Sequence, residues 1–466
     1  MRTTLRRTLT AAGVATAVAA ALTAGPGTAA ARPAPPTAPA APGAPAGVGD
    51  PAALVEVEIP GPEHGAVAGS GHVSVPAAGR DRPTARLSAA EDRVDGTVTK
   101  LIDTGPTADR LDVVVIGDGY TAADMPRFRT DAREKWAEVA AVEPYTTYQG
   151  LFNVWTVDAV SRDSGVSGDP DRATVRDTAL GAYFWCGDIE RLLCVDQDKV
   201  DAYAALAPDA DLVLVLADSA KYGGAGYNEP NADIGYDGIA TASAGNAKSG
   251  QVAIHETGHS LGRLADEYFY PGTPGYERYT GKEPGDPNTS TLDAARMAER
   301  RAKWYRWLGE ESPDGGTVGA YEGGGYYVSG LYRPTDNSLM RVLDRPFNLP
   351  GVEAMIAGFY RHAAPATALT PAGGTLTLRA DAAARIAVPR LTGADGHQLT
   401  VRWFLDGREL RHLAGRTEVR VAQLGLRPYD FRSHKLSVTV VDRTSSVRDP
   451  AVAETLRTAF DWRVRR

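Results

Sequence analysis

Cysteine is nearly absent from this chain: Cys186 and Cys194 are the only two in 466 residues. Neither has a histidine beside it in sequence, which leaves a cysteine nucleophile poorly supported. So close a pair is expected to join as a disulfide in an oxidising compartment, worth roughly 2.5 kcal/mol by loop-closure entropy. An excess of positive charge is also missing. Lys and Arg total 50 against 58 Asp and Glu, a net charge of −8, so the electrostatic footprint of a nucleic-acid binder is absent. Beyond the first thirty residues no apolar run is long enough to cross a bilayer, which excludes membrane insertion. No long internal repeat is present, and hydrophobic and charged contents of 43% and 23% are those of a globular chain. The length suggests two or three domains.

Residues 1–31, MRTTLRRTLTAAGVATAVAAALTAGPGTAAA, place Arg2, Arg6 and Arg7 ahead of small apolar residues and end in Ala29-Ala30-Ala31. This is the pattern of a cleaved secretory signal peptide. Gly25, Pro26 and Gly27 break the run short of the ~20 residues that a membrane anchor needs. The expected product is a secreted, extracellular protein, and losing three arginines takes its charge from −8 to −11.

Composition then divides the chain. Residues 32–51 are Pro/Ala-rich and read as a linker. Residues 52–105 show short alternating runs between Gly and Pro, the signature of a small β-rich N-terminal domain. In residues 106–365 a buried strand, RLDVVVIGDGY, leads to a helical pattern after Thr121 with Phe128, Ala132, Trp136 and Val139 on one face. Strands FNVWTVDAV and DLVLVLAD follow, so this part is expected to be α/β (α+β), with helices packed on a twisted mixed sheet. Residues 366–466 carry six strand-like runs at regular intervals, among them LTVRWFLDGREL with Trp403 ahead of an Asp406-Gly407 turn. These predict an immunoglobulin-like β-sandwich.

The stretch AIHETGHSLGRLADEYFY, residues 253–270, carries the chemistry. On a helix His255 and His259 lie one turn apart and can aim their imidazoles at one point, as a catalytic zinc requires. Glu256, about 100° further round, would meet a water in the open position rather than the metal, and could act as general base. Gly258 and Gly262 are poor helix formers, costing about 1 kcal/mol each, and imply a packing or turning requirement. A turn at Gly262 would bring a third ligand back to the metal, and Asp266 and Glu267 are the candidates. The remaining histidines, His64, His72, His362, His397, His412 and His434, are scattered singly and read as structural or surface residues.

The pattern H-E-x-G-H-x-x-G-x-L-A-D-E-Y resembles that of the immunoglobulin-A-peptidase family of secreted zinc metalloendopeptidases, within the metzincin clan. VVVIGDGYT, EPYTTYQGLFNVWTVDAVSRDSGVS, YGGAGYNE and GLYRPTDNSLMR are similar to the same family, so the resemblance covers residues 50–365. It implies a zincin fold, one catalytic Zn²⁺ held by His255, His259 and Asp266, Glu256 as general base, and protein or peptide substrates. Two departures stand out. The third histidine that the clan commonly places ten residues after the first is Ala265 here, which turns the choice to a carboxylate, Asp266 ahead of Glu267. Met340 matches the methionine of the turn beneath the metal, but the tyrosine two residues later is Val342, and Tyr326, Tyr327 and Tyr332 are left as nearby phenols. The resemblance also implies that the glycine-rich YGGAGYNE stretch is the sheet edge beside the cleft, to which a peptide adds as a strand. The rival reading is a secreted binding or adhesion protein with an inactive or structural metal site. Only three protein ligands are evident in this sequence, against the four of a closed structural site.

Overall fold

The computed structural model describes residues 54–59, 71–76, 96–228, 235–379, 381–392, 399–427 and 431–465. The signal-peptide and linker segments lie outside these, as do His64 and His397. All described residues fall in one compact unit.

An eight-stranded sheet organises the molecule. In chain order its strands are β1 (Leu54–Ile59), β2 (Gly71–Pro76), β3 (Thr97–Ile102), β4 (Leu111–Asp118), β5 (Phe152–Asp158), β6 (Leu212–Ala217), β7 (Gly224–Tyr227) and β8 (Ile239–Ser243). Their spatial order is β2-β1-β7-β8-β6-β4-β5-β3. The four central strands run parallel, and antiparallel strands flank them on both sides. The sequence pattern explains this layout. LDVVVIGD and LVLVLA are apolar at nearly every position, as strands covered on both faces must be. Leu111, Val113 and Val115 of β4 enter one core, while Val114 and Ile116 enter the other. The first core lies beneath three helices, Met125–Ala140, Ser249–Ser260 and Leu349–His362. The second lies beneath residues 180–204, where Cys186 and Cys194 form a disulfide with Cα atoms 5.9 Å apart.

Three expectations change here. The strands of residues 52–105 do not form a domain of their own: β1, β2 and β3 extend the two sides of the central sheet. The YGGAGYNE stretch supplies β7, but its outer edge is taken, because β1 pairs antiparallel with it at Glu58–Gly226. The first long helix also begins at Met125 rather than after Thr121, whose hydroxyl donates to the Asp124 carboxylate at 2.7 Å. Pro126 sits in the first turn, where a missing N–H costs nothing.

Beyond Ala363, sheets of three and five strands enclose a separate apolar core. Trp403 and Trp462 are fully buried in it, with ring centroids 5.8 Å apart. Asp406 and Gly407 both have positive φ, which turns Thr400–Leu405 back onto Arg408–Glu409. This region packs against the main unit. Leu391 and Leu456 join the first core, and the Asp442 carboxylate accepts from both Tyr148 and Tyr360, each at 2.9 Å.

Candidate metal centre

The helix Ser249–Ser260 is buried on nearly every side, against β7, β8 and the helix Met125–Ala140. That is why it lacks a clear apolar stripe. It stops at Ser260, and the turn expected at Gly262 follows, with the positive φ on Arg263, which lets the Leu264 N–H donate to Gly258 O at 3.1 Å. The glycines serve close packing. A Cβ on Gly258 would stand 2.6 Å from Met340 Sδ, and one on Gly262 would stand 2.6 Å from Gly258 O and 2.7 Å from Met355 Sδ. Arg263 is anchored by a 2.9 Å bond to Asp237, which also accepts from Arg361 and His362.

The turn delivers Asp266 to the two histidines. His255 Nε2 and His259 Nε2 lie 3.2 Å apart, and Asp266 Oδ1 is 3.2 Å from the first and 3.5 Å from the second. A fourth group, Glu58 of β1, places Oε1 3.1 Å from His255 Nε2 and Oε2 2.8 Å from His259 Nε2. Donors held tetrahedrally at 2.0–2.1 Å from one ion stand about 3.3 Å from each other. The observed spacings fit that figure. Each imidazole is fixed from behind: His255 Nδ1 faces Leu339 O at 3.1 Å and His259 Nδ1 faces Leu264 O at 2.6 Å. A carbonyl only accepts, so both Nδ1 atoms carry a proton, and the Nε2 atoms are the ones left to give a lone pair to an ion at the common centre. Lone pairs and carboxylates converging in a buried place need a cation among them. Among the described residues this is the one group of three or more such side chains able to share an ion, and all four are buried.

The neighbouring residues have separate tasks. Asn288 brackets Ala265, accepting from its N–H at 2.7 Å and donating to its carbonyl at 2.8 Å, which sets the backbone just before Asp266. Tyr326, itself at positive φ, donates to Asp266 Oδ2 at 2.5 Å and leaves Oδ1 facing the imidazoles. Glu267 points away. It accepts from Ser338 at 2.6 Å, Asn288 at 3.0 Å and Asn348 at 2.8 Å, and its own N–H donates to Met340 O at 2.8 Å. It therefore ties the Met340 turn in place beneath Gly258. Val342 is surface-exposed.

Glu256 lies against Gly226, buried, and among the described residues neither of its carboxylate oxygens has a hydrogen-bond partner. Burial and the nearby Glu58 charge hold its carboxyl well above the usual range. Burial would lower the His255 imidazole, but the Asp266 and Glu58 carboxylates outweigh it and push the ring up to about 10. Asp266 shows the converse: burial raises it, yet both imidazoles hold it well below the carboxylate range. A cleft of about 430 Å³ opens beside these groups, lined by His259, Asp266, Tyr326, Tyr327 and Leu331 among others.

The family model described as IgA Peptidase M64 matches residues 99–314 and 310–359, over half of the chain. The chain belongs to the IgA peptidase M64 family. No curated protein matches it with significance. As a member of a metallopeptidase family it is expected to hold a metal ion, and the family match spans His255, Glu256, His259, Asp266 and Tyr326 but begins after Glu58.

Sequence reasoning brought His255, His259, Glu256 and Asp266 to one place, as the structure does. It missed Glu58 and Asn288, left Tyr326 unselected among three nearby phenols, and read His72 as a structural or surface residue. In LVEVEI, alternation puts Glu56 and Glu58 on the same, nominally solvated face. Glu56 is exposed, whereas Glu58 is fully buried because the strand runs on beneath the motif helix. No local signal separates the two.

Proposed function

We propose that this member of the family is a secreted zinc-dependent endopeptidase that hydrolyses peptide bonds with Glu256 as general base. The observation that carries the reading is the convergence of two imidazole lone pairs and Asp266 Oδ1 on one buried point, beside an unpartnered Glu256. Two histidines and one carboxylate are a zinc donor set. The ion, when bound, would supply an activated water and a polarised peptide carbonyl. The protein's own part is positional and protonic. His255 and His259 are kept in the correct tautomer by Leu339 O and Leu264 O, and Tyr326 orients Asp266. Glu256 accepts the proton of the attacking water and passes it to the amide nitrogen of the departing half. The 430 Å³ cleft, walled by Tyr326 and Tyr327, would take a substrate side chain next to the scissile bond. Secretion is inferred from the signal-like segment of residues 1–31, and the C-terminal two-sheet unit is read as immunoglobulin-like.

Glu256→Gln tests the reading. The amide cannot take a proton, so turnover of a generic protein substrate should fall on the order of 10²- to 10⁴-fold while the metal stays bound. Near-normal turnover with full metal content would remove Glu256 from the mechanism.

A further inference from the structure

The motif supplies three ligands, His255, His259 and Asp266, and a catalytic ion needs its fourth position open. In this chain Glu58 stands there, with its carboxylate 2.8 Å from His259 Nε2 and 3.1 Å from His255 Nε2. Asn228 Nδ2 donates to the same carboxylate at 3.2 Å. Glu58 arrives on β1, which pairs antiparallel with the β7 edge at Gly226. That is the arrangement an extended peptide adopts when it adds to a sheet. The second strand of the hairpin reaches the site too. His72 lies opposite Glu58 in register, and its Nδ1 is 2.6 Å from the Tyr326 hydroxyl, the group that orients Asp266. Val57, Ile59 and Val75 seat the hairpin in the second core, so the contact is built and not incidental. A permanent fourth ligand would close the centre as in a structural zinc site. The unpartnered Glu256 beside it belongs to an open one.

We propose that the β1–β2 hairpin is a built-in occupant of the substrate edge. Glu58 caps the ion where substrate and water must enter, and this form of the chain is latent. The inference rests on the metallopeptidase reading above. It assigns to Glu58 a role as reversible fourth ligand and to β7 a role as the strand on which substrate replaces β1.

The test uses the full chain loaded with Co²⁺, whose visible absorption reports its ligands, and acetohydroxamate as a small metal-directed probe. Wild type is compared with Glu58→Gln, which keeps side-chain volume, and Glu58→Ala, which opens the position fully. Wild type should bind the probe on the order of 100-fold more weakly than either variant, as expected if about 1% of chains are open. Its cobalt spectrum should differ from theirs before the probe is added, and peptide hydrolysis should rise in both variants. Equal probe affinity and equal spectra in all three chains, each holding one cobalt, would overturn the proposal and leave the peptidase reading standing. Probe binding that tightens in the variants with no hydrolysis by any chain would support the occupancy of the site by Glu58 and count against the peptidase reading instead.

Discussion

At the scale of single residues, the question is which acid of LADEY holds the ion. Asp266 Oδ1 faces both imidazoles, whereas Glu267 spends its oxygens on Ser338, Asn288 and Asn348. Asp266→Asn should therefore empty the site at chelator concentrations that leave Glu267→Gln loaded. Glu267→Gln should instead destabilise the Met340 turn, costing about 1–3 kcal/mol for buried hydrogen bonds left mismatched. Metal per chain across a chelator series, with circular dichroism on both variants, checks this. If Glu267→Gln is the one that loses its metal, the third ligand is wrong by one residue. The histidines and Glu256 were legible because helical periodicity alone puts them on one side of a helix. Tyr326 and Asn288 were not, since each reaches the LADEY segment across more than twenty residues of irregular chain, and no spacing rule governs such a contact.

At the scale of elements, the turn after the motif helix hangs on a charge cluster gathered round the buried Asp237. Asp237 accepts from Arg263, Arg361 and His362, and His362 also meets Asp211 at 2.8 Å. Burial opposes charging of His362, but the two carboxylates outweigh it and push the ring up to about 9. Its folded value lies above its ordinary 6.5, so its stabilisation is complete below about pH 6.5 and fades as pH rises through about 9. His362→Gln should accordingly lower stability by up to about 3 kcal/mol at pH 6, with the deficit shrinking toward pH 10. Urea unfolding of both chains at the two pH values would show it, and a deficit of constant size would mean the charge of His362 is not the cause. The sequence marked this turn through Gly258 and Gly262 and left packing or turning open as their task. Glycine was needed to let Met340 and Met355 approach, while the left-handed residue is Arg263, held there by Asp237. The small-domain expectation for residues 52–105 failed for a related reason. Alternation identifies a strand but not its partner, and β1, β2 and β3 find theirs in the main sheet.

At the scale of the whole molecule, the C-terminal unit is bound to the rest by polar and apolar contacts alike. Tyr148 and Tyr360, with ring centroids 5.9 Å apart, share the Asp442 carboxylate, and Leu456 is buried in the first core. Asp442→Ala would strand two buried hydroxyls and should cost on the order of 3 kcal/mol. A thermal unfolding scan in which both units melt together at a lower midpoint is the expected result; an unchanged midpoint would show the contact to be idle. That this unit is built of β-strands could be read from its six spaced strand runs. Its seat on the peptidase unit could not, because it depends on residues that look like ordinary surface tyrosines and an ordinary loop aspartate. The central claim joins these scales: one ion at His255, His259 and Asp266, with Glu256 at its side, makes the chain a peptidase. Its most direct test is a zinc titration of the chelator-stripped protein, wild type and Glu58→Ala in parallel, with bound metal and protein-substrate hydrolysis measured on the same samples. Hydrolysis should be absent without metal and should appear, at least in Glu58→Ala, in step with binding of about one zinc per chain. Hydrolysis that survives chelation, or one zinc bound with no hydrolysis by either chain, would contradict the account.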